Sequence, residues 1–343
     1  MRALLLVTLL ACARGRGKQV PRPATAIAPP AGPCRRLLTR DDFLPAAQAA
    51  ALRRSFVSRF ADPRAASSER FCWDNWHVGD QYNLVRTPAE QFFDEADYAA
   101  LCEALTSFGQ RELGCDTITP PWLSYYVDGC SQALHTDAWH GPFAFVLSLT
   151  DWDARAFTGG ETMLMTPAVL DFWRAHEPGT AIEQASMFEL VEPRFNRLTV
   201  FDPRVPHGVR EVRGTRDPLK ARLVLHGWFT PAQSVAIAGA LGEEQVEPAL
   251  NAALEPMYER LGSECARVFG TLNVFVHVEP SGAVGDVRVL ADTLVVDRAE
   301  LVGGANEDDL RAENVDAIVA ALESACFPPS AGSTDVYVPF SFV

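Results

Sequence analysis

Between Trp122 and Phe229 the chain breaks into short apolar runs divided by turn signals at near-regular spacing, and that rhythm limits the fold more than any other feature. Trp122-Leu123-Ser124-Tyr125-Tyr126-Val127 stops at Asp128-Gly129 and leads into Leu134-His135-Thr136-Asp137. Phe143 to Leu149 stops at Asp151, and Glu161-Thr162-Met163-Leu164 follows the Gly159-Gly160 pair. Leu198-Thr199-Val200-Phe201 runs into Asp202-Pro203, and Arg222 to Phe229 closes the series. Runs of this length and composition are strands. Their number and their turns predict a sandwich or barrel rather than a parallel α/β sheet.

The strand reading gives His135-x-Asp137 a geometric meaning. Alternate residues of a strand point to one side, so these two side chains reach one point together. His207, some seventy residues further on, adds a third group from another strand, and the apolar run at 198–201 supplies that strand. Two imidazoles and one carboxylate cover one face of an octahedral ion and leave three positions open, the donor set of non-haem Fe(II) oxygenases. A bare His-x-Asp arises often by chance, with the histidine on the surface and the aspartate in a turn; the strand context favours the ligand reading. On the last strand Arg222, Val224, His226 and Trp228 share a face by period 2. A guanidinium in an apolar lining suits a bidentate hold on a buried carboxylate. Tyr125 and Tyr126 alternate, so only one faces the metal. His140 reads as a solvated loop residue, and His226 as either a substrate contact or a hydrogen-bonded core histidine. His77, His176 and His277 read as structural or exposed.

The stretch from about Leu123 to Phe229 resembles the iron(II)- and 2-oxoglutarate-dependent dioxygenases, in particular their prolyl-4-hydroxylase-like branch. The residues that carry the resemblance are Tyr126-x-x-Gly129, His135-x-Asp137, Leu149-x-x-Trp152, Gly159-Gly160-Glu161-Thr162, His207-x-Val209 and Arg222 ahead of Gly227-Trp228-Phe229. It implies a double-stranded β-helix (jelly roll) with flanking helices. It also implies iron held by His135, Asp137 and His207, and 2-oxoglutarate held by Arg222 with help from Tyr126. The activity implied is hydroxylation of an unactivated C–H, of a prolyl or other residue of a protein or peptide or of a small molecule. The reaction would consume 2-oxoglutarate and dioxygen, with ascorbate as an accessory reductant. The chain departs from the pattern twice. The interval from His207 to Arg222 is longer than usual, with Asp217-Pro218 marking an extended loop, and Gln132 stands where many members carry an aromatic residue.

The remaining segments frame this core. A chain of 343 residues suggests about two domains, and a formal net charge of −14 argues against a nucleic-acid partner. Met1-Arg2 and the apolar run from Ala3 to Ala11 read as a signal peptide, too short to span a bilayer. Leu9-Leu10-Ala11-Cys12 resembles a bacterial lipoprotein processing box. The segments expected are therefore a signal at 1–12, a Pro/Ala-rich tether at 13–33, a dioxygenase domain at 34–232 and a smaller α+β domain at 233–343. The location expected is the cell envelope, facing the periplasm, with a lipid anchor as the only membrane contact. A chance apolar N-terminus would place the protein in the cytoplasm instead. Apart from Cys12, seven cysteines remain, an odd number, and Cys265 with Cys326 is the attractive pair.

Ahead of the strands, Asp41-Asp42 is placed to cap a helix whose Leu52, Phe56 and Phe60 recur at helical spacing. Trp73 and Trp76 read as core residues ahead of a substrate surface. After Pro231 the strand rhythm stops. A helical stretch over 243–267 is followed by alternating strands around 272–278 and 287–289, a helical stripe at 315–322 and a last strand from Val336. This α-β-β-α-β order looks like the TonB-type C-terminal modules of bacterial envelope proteins, which implies an envelope protein partner. Two functions stay open on the sequence: an oxygenase, and an envelope interaction protein whose barrel is a non-catalytic or alternative-metal scaffold.

Overall fold

The computed structural model describes residues 34–61, 73–137, 140–170, 172, 176–302 and 305–343. The leader at 1–12 with Cys12, the tether at 13–33, and Phe71-Cys72 lie outside the described residues. Two compact units emerge. One consists of residues 36–105 and 118–230; the other comprises 106–117 and 231–343, together with Cys34 and Arg35.

The first unit is mainly β. Its strands are β1 (Leu37–Arg40), β2 (Asp74–Val78), β3 (Tyr82–Pro88), β4 (Trp122–Tyr126), β5 (Ser131–His135), β6 (Phe143–Ser148), β7 (Thr162–Met165), β8 (Phe188–Val191), β9 (Leu198–Phe201), β10 (His207–Val209) and β11 (Arg222–Pro231). They pair antiparallel in the order β1-β9-β6-β11-β4-β3-β5-β10-β7-β8, with β2 hairpinned onto β3. The curl of this sheet is visible in β3. Its first residues, Tyr82 and Asn83, pair with Gln132 and Ser131 of β5, while Val85 to Pro88 pair with Tyr125 to Trp122 of β4. One strand that changes partner along its length turns the sheet through a corner. The result is the jelly roll, with helices on its outer face.

Helix α1 (Ala46–Phe60) covers that outer face. It starts after Pro45 with no side-chain cap, so the expected capping by Asp41 or Asp42 does not occur. Asp41 is drawn instead to Arg197, whose Nη2 donates to it at 2.8 Å, and Asp42 occupies a left-handed turn at φ 51°. Leu52 and Phe56 are fully buried. Phe56, Phe60, Trp73, Phe92 and Tyr125 form an aromatic cluster with ring centroids 5.0–6.2 Å apart across Trp73–Tyr125 and Phe56–Trp73. Each such pair adds about 0.5–1.5 kcal/mol beyond its buried area. Trp73 is thus a core residue as expected, and Tyr125 is the tyrosine that points away from the cavity.

One strand assignment needs correction. The run at 198–201 does not carry His207. It forms β9, between β1 and β6, and His207 opens the separate strand β10, between β5 and β7. Asp202-Pro203 ends the first strand: proline has no N–H for a ladder, and the Asp202 carboxylate accepts the backbone N–H of Arg204 at 2.9 Å to close a turn.

The second unit contains β12 (Ala236–Gly239), α2 (Glu243–Ser263), β13 (Val268–Val278), β14 (Val284–Asp292), β15 (Val295–Val296), α3 (Glu307–Glu323) and β16 (Thr334–Phe342). The sheet order is β12-β16-β13-β14, with β15 on the early part of β13. The expected α-β-β-α-β succession is present, preceded by the short edge strand β12. Val246, Leu250 and Leu254 of α2 and Ile318 and Leu322 of α3 bury one side of this sheet, against Val274, Val276 and Val338. Cys265 and Cys326 are free thiols, as are Cys34, Cys102, Cys115 and Cys130, so the pairing of Cys265 with Cys326 is not formed. Among the described residues no helix is long and apolar enough to cross a membrane.

Candidate metal and cosubstrate site

The two histidines of the expected triad face each other across a strand pair. His207 of β10 lies directly opposite His135 of β5, and their ring centroids are 4.4 Å apart. Asp137 follows β5 by two residues and places Oδ2 3.5 Å from His135 Nε2 and 3.6 Å from His207 Nε2. The three donor atoms all fall within 4.8 Å of one another, a separation one transition-metal ion can span. Among the described residues this is the only such group.

The imidazoles are also held in the tautomer a metal requires. His135 Nδ1 donates to the carbonyl of Ala133 at 2.8 Å and His207 Nδ1 to that of Val205 at 2.9 Å. With Nδ1–H committed, each Nε2 lone pair is directed at the common point, an outer-shell arrangement typical of ligating histidines. The five-residue turn from Asp202 to Pro206 supplies much of this order. The carbonyl of Pro203 accepts the Asp137 N–H at 2.9 Å, Val205 fixes His207, and Pro206 accepts from Met165 at 2.9 Å. Burial alone would push the Asp137 carboxyl up, but hydrogen bonds from both histidines outweigh it and hold the group well below the usual carboxylate range. Burial pulls His135 down, and Asp137 and the Ala133 carbonyl more than reverse it, leaving a net rise.

These residues line a cavity of about 280 Å³. Its wall follows from strand periodicity: Tyr82, Leu84 and Arg86 on β3, and Arg222, Val224, His226 and Trp228 on β11, all face inward. Arg222 sits opposite Tyr126 and is 1% exposed. Its Nε donates to the carbonyl of Gly160 at 2.6 Å, Nη2 to Thr162 Oγ1 at 3.3 Å, and its Cζ lies 4.5 Å from the Tyr126 ring centroid. Nη1 is buried with no acceptor. A buried donor left unpaired costs about 1–3 kcal/mol, more when charged, so the site already contains half of a charge-assisted hydrogen bond. A carboxylate fits that demand. The Gly159-Gly160 turn makes the arrangement sterically feasible: Gly159 has φ +78°, and a Cβ there would stand 1.9 Å from the Glu211 carbonyl oxygen.

The remaining expectations resolve individually. Tyr126 faces inward and donates its hydroxyl to Gln132 Oε1 at 3.2 Å, so Gln132 gives this tyrosine a polar partner. His226 is a hydrogen-bonded histidine of the cavity wall. It lines the cavity and bonds Ser124 Oγ through Nε2 at 2.8 Å. Burial, reinforced by Arg222 and Arg86, pulls it down to about 3, so it is neutral at any physiological pH. His140 is an exposed loop residue, as expected, and its ring stacks on Trp228 with centroids 4.2 Å apart. His277 bonds Asp335 at 2.6 Å in the second unit, while His77 and His176 are exposed. Trp76 is also a correction: it lies in the cavity wall, 38% exposed, rather than in the core. Sequence reasoning missed Tyr82 and Arg86, and gave Thr162 a place in a motif but no contact with Arg222. The alternation Tyr82-x-Leu84-x-Arg86 was a usable signal, hidden because the preceding aromatic stretch read as core.

No family model matches the chain, and no curated protein matches it. Among solved structures, a prolyl-4-hydroxylase from Pseudomonas putida is similar at 20% identity and a TM-score of 0.40, covering 58% of this chain and 94% of its own. A Trichoplax adhaerens prolyl hydroxylase, solved with a fragment of the oxygen degradation domain of hypoxia inducible factor, is similar at 13% identity and TM-score 0.39, over 57% and 83%. A viral collagen prolyl hydroxylase from Paramecium Bursaria Chlorella virus-1, solved as a 2OG complex, is similar at 12% and TM-score 0.36, over 58% and 97%.

Proposed function

We propose that this protein is an Fe(II)- and 2-oxoglutarate-dependent dioxygenase that hydroxylates an unactivated C–H, a prolyl or other residue of a peptide being the substrate class the motif resemblance favours. The observation that carries the reading is the coexistence, in one cavity, of a preorganised His135-Asp137-His207 donor set and a buried Arg222 with an unused donor. A structural histidine pair has no need to turn both Nε2 atoms toward one carboxylate oxygen, and a core arginine would not keep Nη1 unpaired. When bound, iron and 2-oxoglutarate would supply the oxidising chemistry, one oxygen atom of dioxygen going to succinate and the other to the substrate.

The chain's own part is placement and exclusion. His135, Asp137 and His207 would hold the metal at the cavity wall. Arg222, clamped by Gly160 and Thr162, would offer Nη1 to the distal carboxylate. Leu84, Val146 and Val224 keep the lining apolar, which limits water at the reacting centre. Neutral His226, tied to Ser124, offers a hydrogen bond without a competing charge.

The test is succinate formation by the purified protein with Fe(II), ascorbate and 2-oxoglutarate. Slow uncoupled turnover is expected from the wild type, with losses of 100-fold or more, on the order of 3 kcal/mol, in His207→Ala and Arg222→Gln. Absence of succinate, together with no 2-oxoglutarate-dependent absorbance band on anaerobic Fe(II) addition, would sink the enzyme reading.

A further inference from the structure

Three charged side chains face the cavity: Asp137, Arg222 and Arg86. The first belongs to the metal site and the second to the cosubstrate; the third has no role in either. Arg86 lies on β3 between two tryptophans delivered by the neighbouring strands. Its Cζ is 3.8 Å from the ring centroid of Trp76 on β2 and 4.1 Å from that of Trp122 on β4. A guanidinium carries all five N–H donors in its plane. With indoles against it from either side, it can engage a partner only along its edge. Among the described residues its one acceptor is Asp74, directly across the β2–β3 pair, at a long 3.4 Å from Nε. Asp74 is half exposed, whereas the Arg86 side chain is 18% exposed, so the Nη side of the guanidinium keeps its donors available.

We propose that Arg86 receives a carboxylate of the substrate, inserted edge-on between Trp76 and Trp122. The proposal rests on the dioxygenase reading and names the chemistry of what that site accepts. A flat two-oxygen anion matches the guanidinium edge and lies in the slot left by the two rings, gaining a charge-assisted bidentate bond that an amide cannot offer. The stacking rings fix the side chain in advance, so little rotamer freedom is lost on binding. Asp74 acts as a weak internal competitor that occupies the slot edge when no substrate is present. Arg86 gives the cavity a second cation beside Arg222, against the single carboxylate of Asp137. The carboxylate can come from an acidic residue of a peptide or from a small organic acid.

The test follows the indole N–H signals of Trp76 and Trp122, assigned by Trp→Phe variants, by NMR of the full-length metal-free protein. The probes are acetyl-Gly-Glu-Gly-amide and cyclohexanecarboxylate, with acetyl-Gly-Gln-Gly-amide and cyclohexanecarboxamide as uncharged controls. Saturable shifts with a carboxylate and none with its amide are expected, lost in Arg86→Gln. A response to the peptide acid alone assigns the site to acidic peptides; a response to both means that a small acid suffices. Asp74→Asn, at an exposed position, is expected to tighten carboxylate binding about three-fold by removing the competitor. No saturable shift up to about 50 mM, equal shifts with the amides, or shifts that persist in Arg86→Gln would overturn the proposal, as would unchanged or weaker binding in Asp74→Asn. Succinate formation reports on the dioxygenase separately, so an active enzyme without a carboxylate response refutes this proposal alone.

Discussion

His226 shows how burial sets a residue's chemistry. Its sequence neighbours, Leu225 and Gly227, do not distinguish it from any other strand histidine. What makes it permanently neutral is enclosure beside Arg222 and Arg86, which lowers its folded pKa to about 3 against about 6.5 in the unfolded chain. Below pH 6.5 the unfolded chain takes up a proton that the folded protein refuses until about pH 3. Stability therefore falls as pH drops through that window. His226→Gln should flatten this slope, recovering on the order of 3 kcal/mol near pH 4 relative to its effect at pH 7. Chemical denaturation of both proteins across the window measures it; parallel curves would show that His226 is not held neutral. The same residue scale explains why Trp73 and Trp76, three positions apart, have different fates: β2 begins at Asp74, so Trp73 precedes the strand and packs with Phe56 and Tyr125, while Trp76 lies within it and faces the cavity.

At the scale of elements, the turn from Asp202 to Pro206 is the piece on which the metal site depends. It separates β9 from β10 and uses its backbone carbonyls to position Asp137 and His207. Asp202 holds this turn, accepting from the Arg204 backbone and from its guanidinium at 3.0 and 2.6 Å. Asp202→Ala should therefore weaken metal binding by about 10-fold, a typical outer-shell effect, while leaving all three ligands in place. Calorimetric titration with Mn(II) reads the change. Unaltered affinity would mean that β5 and β10 alone determine the ligand geometry. The strand β3 is the other decisive element. By pairing with β5 at its start and β4 at its end, it brings Tyr82 beside His135, with ring centroids 4.9 Å apart, and puts Arg86 at the far end of the same inward face.

Over the whole molecule, the two units differ in how they use the chain. The second gathers residues 106–117 from well upstream and packs them with the C-terminal segment. There Asn273, on β13 and 2% exposed, donates from Nδ2 to the carbonyl of Leu113 at 2.6 Å. Gly114 accommodates that contact, since a Cβ at this left-handed position would lie 2.7 Å from Asn273 Cβ. Asn273→Val should cost about 1–3 kcal/mol in the full chain, where it leaves the Leu113 carbonyl unpaired. In an isolated fragment 233–343 the same substitution should be neutral or stabilising, because the carbonyl is no longer present. Thermal melts of the four proteins test this; equal destabilisation in both settings would show that residues 106–117 contribute nothing through Asn273.

The sequence by itself determined the mainly β character of the first unit and the α-β-β-α-β order of the second, and it singled out His135, Asp137, His207 and Arg222, which line one cavity. The element types are properties of local periodicity, since a period of 2 assigns faces and turn residues assign ends without knowledge of partners; the grouping of the four residues came from donor chemistry and from the motif resemblance. Tertiary structure decided what depends on pairing between distant segments. It separated β9 from β10, brought His140 onto Trp228, moved Trp76 out of the core and set Arg86 between two indoles. None of these could be read locally. A residue's exposure and charge environment come from strands that are adjacent in space yet far apart along the chain, and only the folded register brings them together.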